Sequence, residues 1–157
     1  MNRMVVLQKI VSGGQTGADR AALDFAMEHG IPHGGWCPKG RLAEDGPIDV
    51  RYQLNETPSS SYPQRTEWNV RDSDGTVVFS IQAKLSGGSK RTVTLAYKHR
   101  KPVLHLSRSG GPPEMKLLRF ITENRIQVLN VAGPRASKER EVAAFVREVL
   151  ERTRAAA

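Results

Sequence analysis

One stretch, Ile10-Val-Ser-Gly-Gly-Gln-Thr-Gly-Ala-Asp-Arg20, constrains the fold more than any other. Two β-branched apolar residues, Ile10 and Val11, lead into a turn holding Gly13, Gly14 and Gly17. Ala18, Ala22, Phe25 and Ala26 then recur at i, i+4, i+7 and i+8, one face of a helix that Gly30 and Pro32 bring to an end. A strand, a glycine loop and a helix in that order make an anion site in α/β proteins. Glycine lets the backbone bend and lets an anion reach amides that helix geometry leaves unpaired. The helix dipole adds about half a positive charge at that end. The stretch is not G-x-G-x-x-G, and no Lys-Ser/Thr follows as in a P-loop. The plainer alternative is a glycine-rich turn without a ligand. Gln15, Thr16, Asp19 and Arg20 weigh against it, because a merely structural turn does not need four polar groups so close together.

The pattern continues along the chain. His33-Gly-Gly-Trp-Cys-Pro-Lys-Gly-Arg41 reads as a short second strand entering an irregular loop that runs through Asp45-Gly46-Pro47. The loop from Trp36 to Pro63 is long for a compact domain, and long loops of this kind are more often functional than idle. Trp36 is expected to be a packed aromatic, and Pro58 to Pro63 an ordered turn or a flap. Pro63 suits the first turn of a helix over residues 64–71. Asp72-Ser-Asp-Gly75 is a turn, and Thr76-Val-Val-Phe-Ser80 a buried strand. Ser86-Gly-Gly-Ser-Lys-Arg-Thr92 is a second strand-to-helix glycine loop, with a helix to about Tyr97. Val103-Leu-His-Leu106 is a strand, and Ser109-Gly-Gly-Pro-Pro113 opens a helix with Leu117, Phe120 and Ile121 inward. Gln127-Val-Leu-Asn-Val131 is the last strand. Ser137 is the expected N-cap of a final helix striped by Val142, Phe145, Val146, Val149 and Leu150, with residues 152–157 frayed.

Alternation of this sort means a parallel sheet with helices on both faces. The expected architecture is a three-layer, Rossmann-like, doubly wound α/β fold of about five strands in the order 2-1-3-4-5, with residues 1–157 forming a single ligand-binding domain. In that order the first and third strands flank the switch point. The loops Gly13–Gly17, Gly87–Thr92 and Gly133–Arg135 then share one crevice.

The net charge of +8 matters through its distribution. Lys84, Lys90, Arg91, Lys98, Arg100 and Lys101 follow one another with no acid between Lys84 and Lys101. A small anion or a phosphorylated ligand suits such a field. Nucleic acid is not expected as a partner, since aromatics are 6% of residues and stacking platforms are scarce. Cys37 is the single cysteine, so no internal disulfide can form. His33 and Cys37 sit four apart, but no second pair supports them and zinc is not expected. No 18-residue apolar run suggests a membrane span. The stretch over residues 1–9 is too soon charged for a secretory signal. A cytoplasmic protein is expected.

Several motifs together carry a resemblance over most of the chain: Ser12-Gly-Gly-Gln-Thr-Gly-Ala-Asp-Arg20, Pro38-Lys-Gly-Arg41, Arg65-Thr-Glu-Trp-Asn within Tyr62–Val70, Asp72-Ser-Asp-Gly-Thr76, and Leu129-Asn-Val-Ala-Gly-Pro-Arg135 with Ala-Ser-Lys138. They resemble the "putative molybdenum carrier" family, bacterial relatives of molybdenum-cofactor carrier proteins. That family is similar in turn to a wider group of nucleotide phosphoribohydrolases and nucleotide-sensing proteins. Those hydrolases carry P-G-G-x-G-T-x-x-E after a strand, with a catalytic Glu. Here Ser86-Gly-Gly-Ser-Lys-Arg-Thr-Val-Thr94 keeps the glycine pair and lacks the acid.

The resemblance implies a carrier of molybdenum cofactor (molybdopterin), or of another nucleotide-like phosphorylated ligand. The phosphate is expected on the backbone of Gly13, Gly14, Gly17, Gly87, Gly88, Ser89 and Thr92. Lys90, Arg91 and Arg135 supply charge, and Gln15, Thr16, Asp19, Arg65 and Asn69 contact the ligand's polar groups. The alternatives are a nucleotide N-glycosidase or phosphohydrolase, drawing on Asp19, Glu67, Asp72 or Asp74, and a basic domain for regulatory or nucleic-acid contacts. A homo-oligomer, dimer or tetramer, is expected on symmetry grounds.

Overall fold

The computed structural model describes residues 7–157; most of the opening stretch read above against a secretory signal lies outside the described residues. In chain order the elements are β1 (Lys9–Val11), α1 (Ala18–Glu28), β2 (His33–Gly34), β3 (Trp36–Cys37), β4 (Leu42–Ala43), β5 (Gly46–Pro47), β6 (Asn55–Glu56), α2 (Tyr62–Arg71), β7 (Gly75–Ser80), α3 (Gly87–Lys98), β8 (Val103–Ser107), α4 (Pro113–Glu123), β9 (Val128–Ala132) and α5 (Val142–Ala156). Each long apolar run became a strand, and each glycine or proline turn after it released the chain into a helix. No helix among the described residues is long and apolar enough to cross a membrane.

Five strands form one parallel sheet in the order β2-β1-β9-β7-β8. The class is the doubly wound one expected, but the last strand is not at the edge. β9 lies between β1 and β7, pairing Leu129 with Ile10 and Val131 with Val77. Burial accounts for this. Leu129 and Val131 are fully buried and Asn130 nearly so, whereas on β8 only Leu106 is buried. The half-wet run therefore takes the edge and the dry one the centre. Read from β9 as though the chain began there, the order becomes 3-2-1-4-5, that of the doubly wound fold. The switch point accordingly falls between β9 and β7 rather than between β1 and β7.

Helices α1 and α5 pack on each other, and α4 on α5, forming one outer layer, while α2 and α3 lie together in another. The main core joins Ile10, Phe25, Val77, Phe79, Leu117, Leu129 and Val146, with Phe79 and Phe145 edge to face at 5.8 Å. Polar contacts tie α1 to α5 outside it: Arg147 pairs with Glu28 at 2.5 Å, and His29 Nε2 lies 2.7 Å from Glu151 Oε1.

The long segment after β2 is built, not slack. β3 pairs with β6, and β4 with β5. Leu23, Cys37, Ile48 and Tyr52 form a second small core beneath it. The Arg41 guanidinium binds the carbonyls of Ile48, Asp49, Tyr52 and Leu54. The turn before α2 is ordered by its own side chains, Ser59 N donating to Gln64 Oε1 and Ser61 N to Ser59 Oγ. Trp36 packs its ring against Trp68 at 4.8 Å and donates its indole N–H to Asp72.

Two helix ends differ from expectation. Ser137 does not cap α5; its hydroxyl donates to Glu44, the chain turns once through Arg135–Glu139, and the helix starts at Val142. The tail does not fray: α5 continues to Ala156, and buried Thr153 donates its hydroxyl to the Val149 carbonyl.

Candidate functional site

The C-terminal ends of β1, β9 and β7 open into a cleft of about 310 Å³. The loop after β1 supplies Gly13, Gln15 and Asp19. Helix α2 supplies Tyr62, Pro63, Arg65, Thr66 and Asn69. The start of α3 supplies Gly87, Gly88, Ser89, Arg91 and Thr92. From β9 and the turn beyond come Asn130, Gly133, Pro134, Arg135 and Lys138, with Val131 and Ala132 beside them. The three loops expected to meet therefore do meet. Gly14, Thr16, Gly17 and Lys90 do not line the cleft.

The polar groups of the first loop are spent on the protein itself. Gln15 N donates to Asp19 Oδ2 at 3.2 Å. Thr16 N and Glu44 N both donate to Gln15 Oε1. The Thr16 hydroxyl donates to Glu44 and accepts from Ala136 N. Arg20 binds the Gly14 carbonyl and Asp45. Ala18 N donates to the Pro134 carbonyl. The amides of Gln15, Thr16 and Ala18 at the start of α1 already have acceptors, and a carboxylate, Asp19, stands among them. A side chain on Gly13 would collide with the Arg65 guanidinium. The close approach that this glycine permits is thus made by an arginine, which donates to its carbonyl at 2.9 Å. Asn69 is committed too: its amide accepts from Trp36 N and donates to Trp36 O, as a neighbouring strand would.

Asp19 and Arg65 form a buried pair, 7% and 8% exposed, with Arg65 Nη1 3.6 Å from Asp19 Oδ2. Burial pushes the Asp19 carboxyl above the usual carboxylate range; Arg65 and the Gln15 amide pull the other way without cancelling it. A raised native value means that, between the ordinary value and the native one, the native state holds more proton than the unfolded chain. Stability from this group is therefore highest at acid pH and falls as pH rises through that window. Asp19→Asn should remove this slope. The stability difference between variant and wild type, measured by urea unfolding from pH 4 to 8, should shift in the variant's favour as pH rises. Parallel profiles would show that Asp19 ionises normally.

The start of α3 is the opposite case. Ser86 offers no side-chain cap, no acid lies in the first turn, and the amides of Gly87, Gly88 and Ser89 have no acceptor among the described residues. Arg91, Arg135 and Lys138 surround it. Arg135 has only a distant carboxylate, Glu44 at 4.0 Å. Lys90 points out of the cleft, so the local charge comes from Arg91.

Of the carboxylates considered for hydrolysis, Asp19 alone reaches the cleft. Glu67 is held by Lys98 and His99, Asp72 by Arg71 and Trp36, and Asp74 accepts from Gln127 N and Val128 N. His33 Nε2 accepts from Gln53 N, and Cys37 lies in the small core. Sequence reasoning passed over Asn130 and Lys138 as site residues. Asn130, donating to Thr76 Oγ1 at 3.1 Å, could have been found as a polar residue inside an otherwise apolar buried strand.

Fold and cleft together define a doubly wound α/β protein in permuted strand order, with a cleft at its switch point. The chain belongs to the circularly permutated YpsA SLOG family, whose model matches residues 10–154. The permutation in that description agrees with β9 holding the place of a first strand. A comparison with curated proteins gave no match. A crystal structure of the "putative molybdenum carrier protein" from Syntrophus aciditrophicus SB is 48% identical, superposes with a TM-score of 0.91, and covers 94% of this chain and 95% of that one.

Proposed function

We propose that the chain is a binding and carrier protein whose cargo is molybdenum cofactor or a related phosphorylated heterocycle. The observation that carries this is the start of α3: three unpaired amides, the positive end of a helix dipole, and Arg91, Arg135 and Lys138 around one cleft. The similarity to a protein named as a molybdenum carrier supports the choice of cargo. The donor set suits an oxyanion. It offers amides, guanidinium groups and an ammonium, while the chain's one thiol is buried elsewhere, so the phosphate rather than a thiolate-bound metal is the handle. The cleft's floor, with Asn130 and the backbone of the β9 turn, would meet the ring's polar edge.

The test is calorimetry with inorganic phosphate, molybdate and a molybdopterin extract. Arg91→Ala is expected to weaken binding by about 1–3 kcal/mol, the worth of a hydrogen bond from a charged group. A side chain on Gly88 would meet no atom within 4 Å, so Gly88→Val should fold normally and project into the anion's place. Equal affinities in wild type and both variants would rule out the α3 site.

A further inference from the structure

Not every polar side chain at the cleft is spent on the protein. Asn69 gives its amide to Trp36, and Gln15 Oε1 serves two backbone amides. Asp19 and Arg65, which line the cleft side by side, keep capacity for a further partner. A carboxylate offers about four acceptor sites. Asp19 takes Gln15 N on Oδ2 at 3.2 Å, and its approach to Arg65, at 3.6 Å, is too long for a hydrogen bond. Arg65 spends Nε on Thr66 and Nη1 on the Gly13 carbonyl, and Nη2 meets no acceptor among the described residues. Arg41, by contrast, commits Nε and both amino groups to four carbonyls.

A carboxylate and a guanidinium that are both buried, yet do not satisfy each other, cost stability. In a cleft, such a cost marks a group kept for a ligand. Burial also pushes the Asp19 carboxyl up, and N–H donors from a ligand would hold it ionised.

An acceptor pair beside a donor is the complement of one kind of ring edge. Guanine and the pterins present an exocyclic NH2, a ring N–H and a C=O in a row, an amino-lactam. The two nitrogen donors would face the Asp19 carboxylate, and the carbonyl would face Arg65 Nη2. Hypoxanthine lacks the amino group, and adenine sets its amino group beside a bare ring nitrogen. The cleft, at about 310 Å³, is at the low end for small-molecule sites, which suits one ring system with one phosphoryl group.

We propose that Asp19 and Arg65 determine the ligand specificity of the cleft and select a phosphorylated ring with an amino-lactam edge. The inference rests on the reading that the cleft holds a phosphorylated heterocycle, and it names the class of ring.

Calorimetry at fixed ionic strength with GMP, IMP, AMP, neopterin monophosphate and inorganic phosphate tests it. GMP and neopterin monophosphate are expected to bind about tenfold tighter or more than IMP and AMP, the worth of one hydrogen bond to a charged group. The tighter of those two identifies the ring carried. Asp19→Asn keeps an oxygen for Gln15 N and turns the other acceptor into a donor. It should bring the GMP-to-IMP preference to about one and leave inorganic phosphate binding unchanged, which also shows that the variant is folded. Asp45→Asn removes the same charge from an exposed residue outside the cleft and should keep the preference. Equal or reversed affinities for GMP and IMP in the wild type, or a preference that survives Asp19→Asn, overturn the inference. Arg91-dependent phosphate binding would then still stand. Failure of every probe to bind, inorganic phosphate included, overturns both readings.

Discussion

Replacing Gly17 by alanine is expected to lower the unfolding free energy by about 2–6 kcal/mol, from left-handed strain and from overpacking together. Gly17 has φ +81°, and a Cβ there would lie 2.6 Å from the Pro134 carbonyl oxygen and 2.8 Å from Ala136 N. Both neighbours are backbone, so no rotamer change can make room. The pressure falls on the seam where Ala18 N donates to Pro134 O and Ala136 N donates to Thr16. That seam joins the loop after β1 to the turn after β9, so cleft and fold should suffer together. Gly30→Ala is the control. Its φ is +66° with nothing within 4 Å, so strain alone applies, about 1–2 kcal/mol. Urea unfolding of both variants should show the larger loss at Gly17; equal losses would mean that the seam yields without cost.

The contrast between these glycines shows what was legible in the sequence. Gly13, Gly14 and Gly17 marked a strand-to-helix turn correctly, and the apolar stripes of α1 and α5 identified their buried faces. Strand order was not legible in the same way. Crossover counting leaves the last strand free to sit at either edge or in the middle, because a run such as Val128–Ala132 looks alike in each place. The signal that separates them is faint: Asn130 can be buried only where Thr76 on the next strand accepts its amide, while His105 on β8 can face a half-wet edge. The end of the sheet that carries the cleft was legible, because glycine loops follow strands and strands in a doubly wound sheet point one way.

Site chemistry was harder to read. Gln15, Thr16, Asp19 and Arg20 are as well suited to bind one another, Glu44 and Asp45 as to bind a ligand, and only their geometry decides. The α3 start was legible for the converse reason. Arg91 stands where a helix disfavours cations, and no residue from Lys84 to Lys101 could neutralise it locally. Unopposed charge at a helix start is visible in one dimension; a self-satisfied loop is not.

Arg65→Ala is expected to cost about 3–5 kcal/mol at neutral pH, the penalty for removing one partner of a buried ion pair. Asp19 would keep its burial and lose the cation paired with it, while the Gly13 carbonyl and the Thr66 hydroxyl would lose their guanidinium donors. The Tyr62 ring, 5.0 Å below the guanidinium, would lose its cation as well. The Asp19 carboxyl, already raised by burial, should rise further once the Arg65 charge is gone, and its protonation should limit the loss. Two results follow. The deficit of Arg65→Ala should shrink as pH falls, since a neutral Asp19 needs no counter-charge. The double variant Asp19→Asn/Arg65→Ala should be more stable than Arg65→Ala alone, with the coupling read from the full cycle. Arg65→Lys should fall between, keeping the charge but not the planar fork that reaches Gly13 and Thr66 at once. A loss under about 1 kcal/mol for Arg65→Ala, below the range for a broken buried pair, or a double variant with no recovery, would show that the cleft's floor does not depend on this pair.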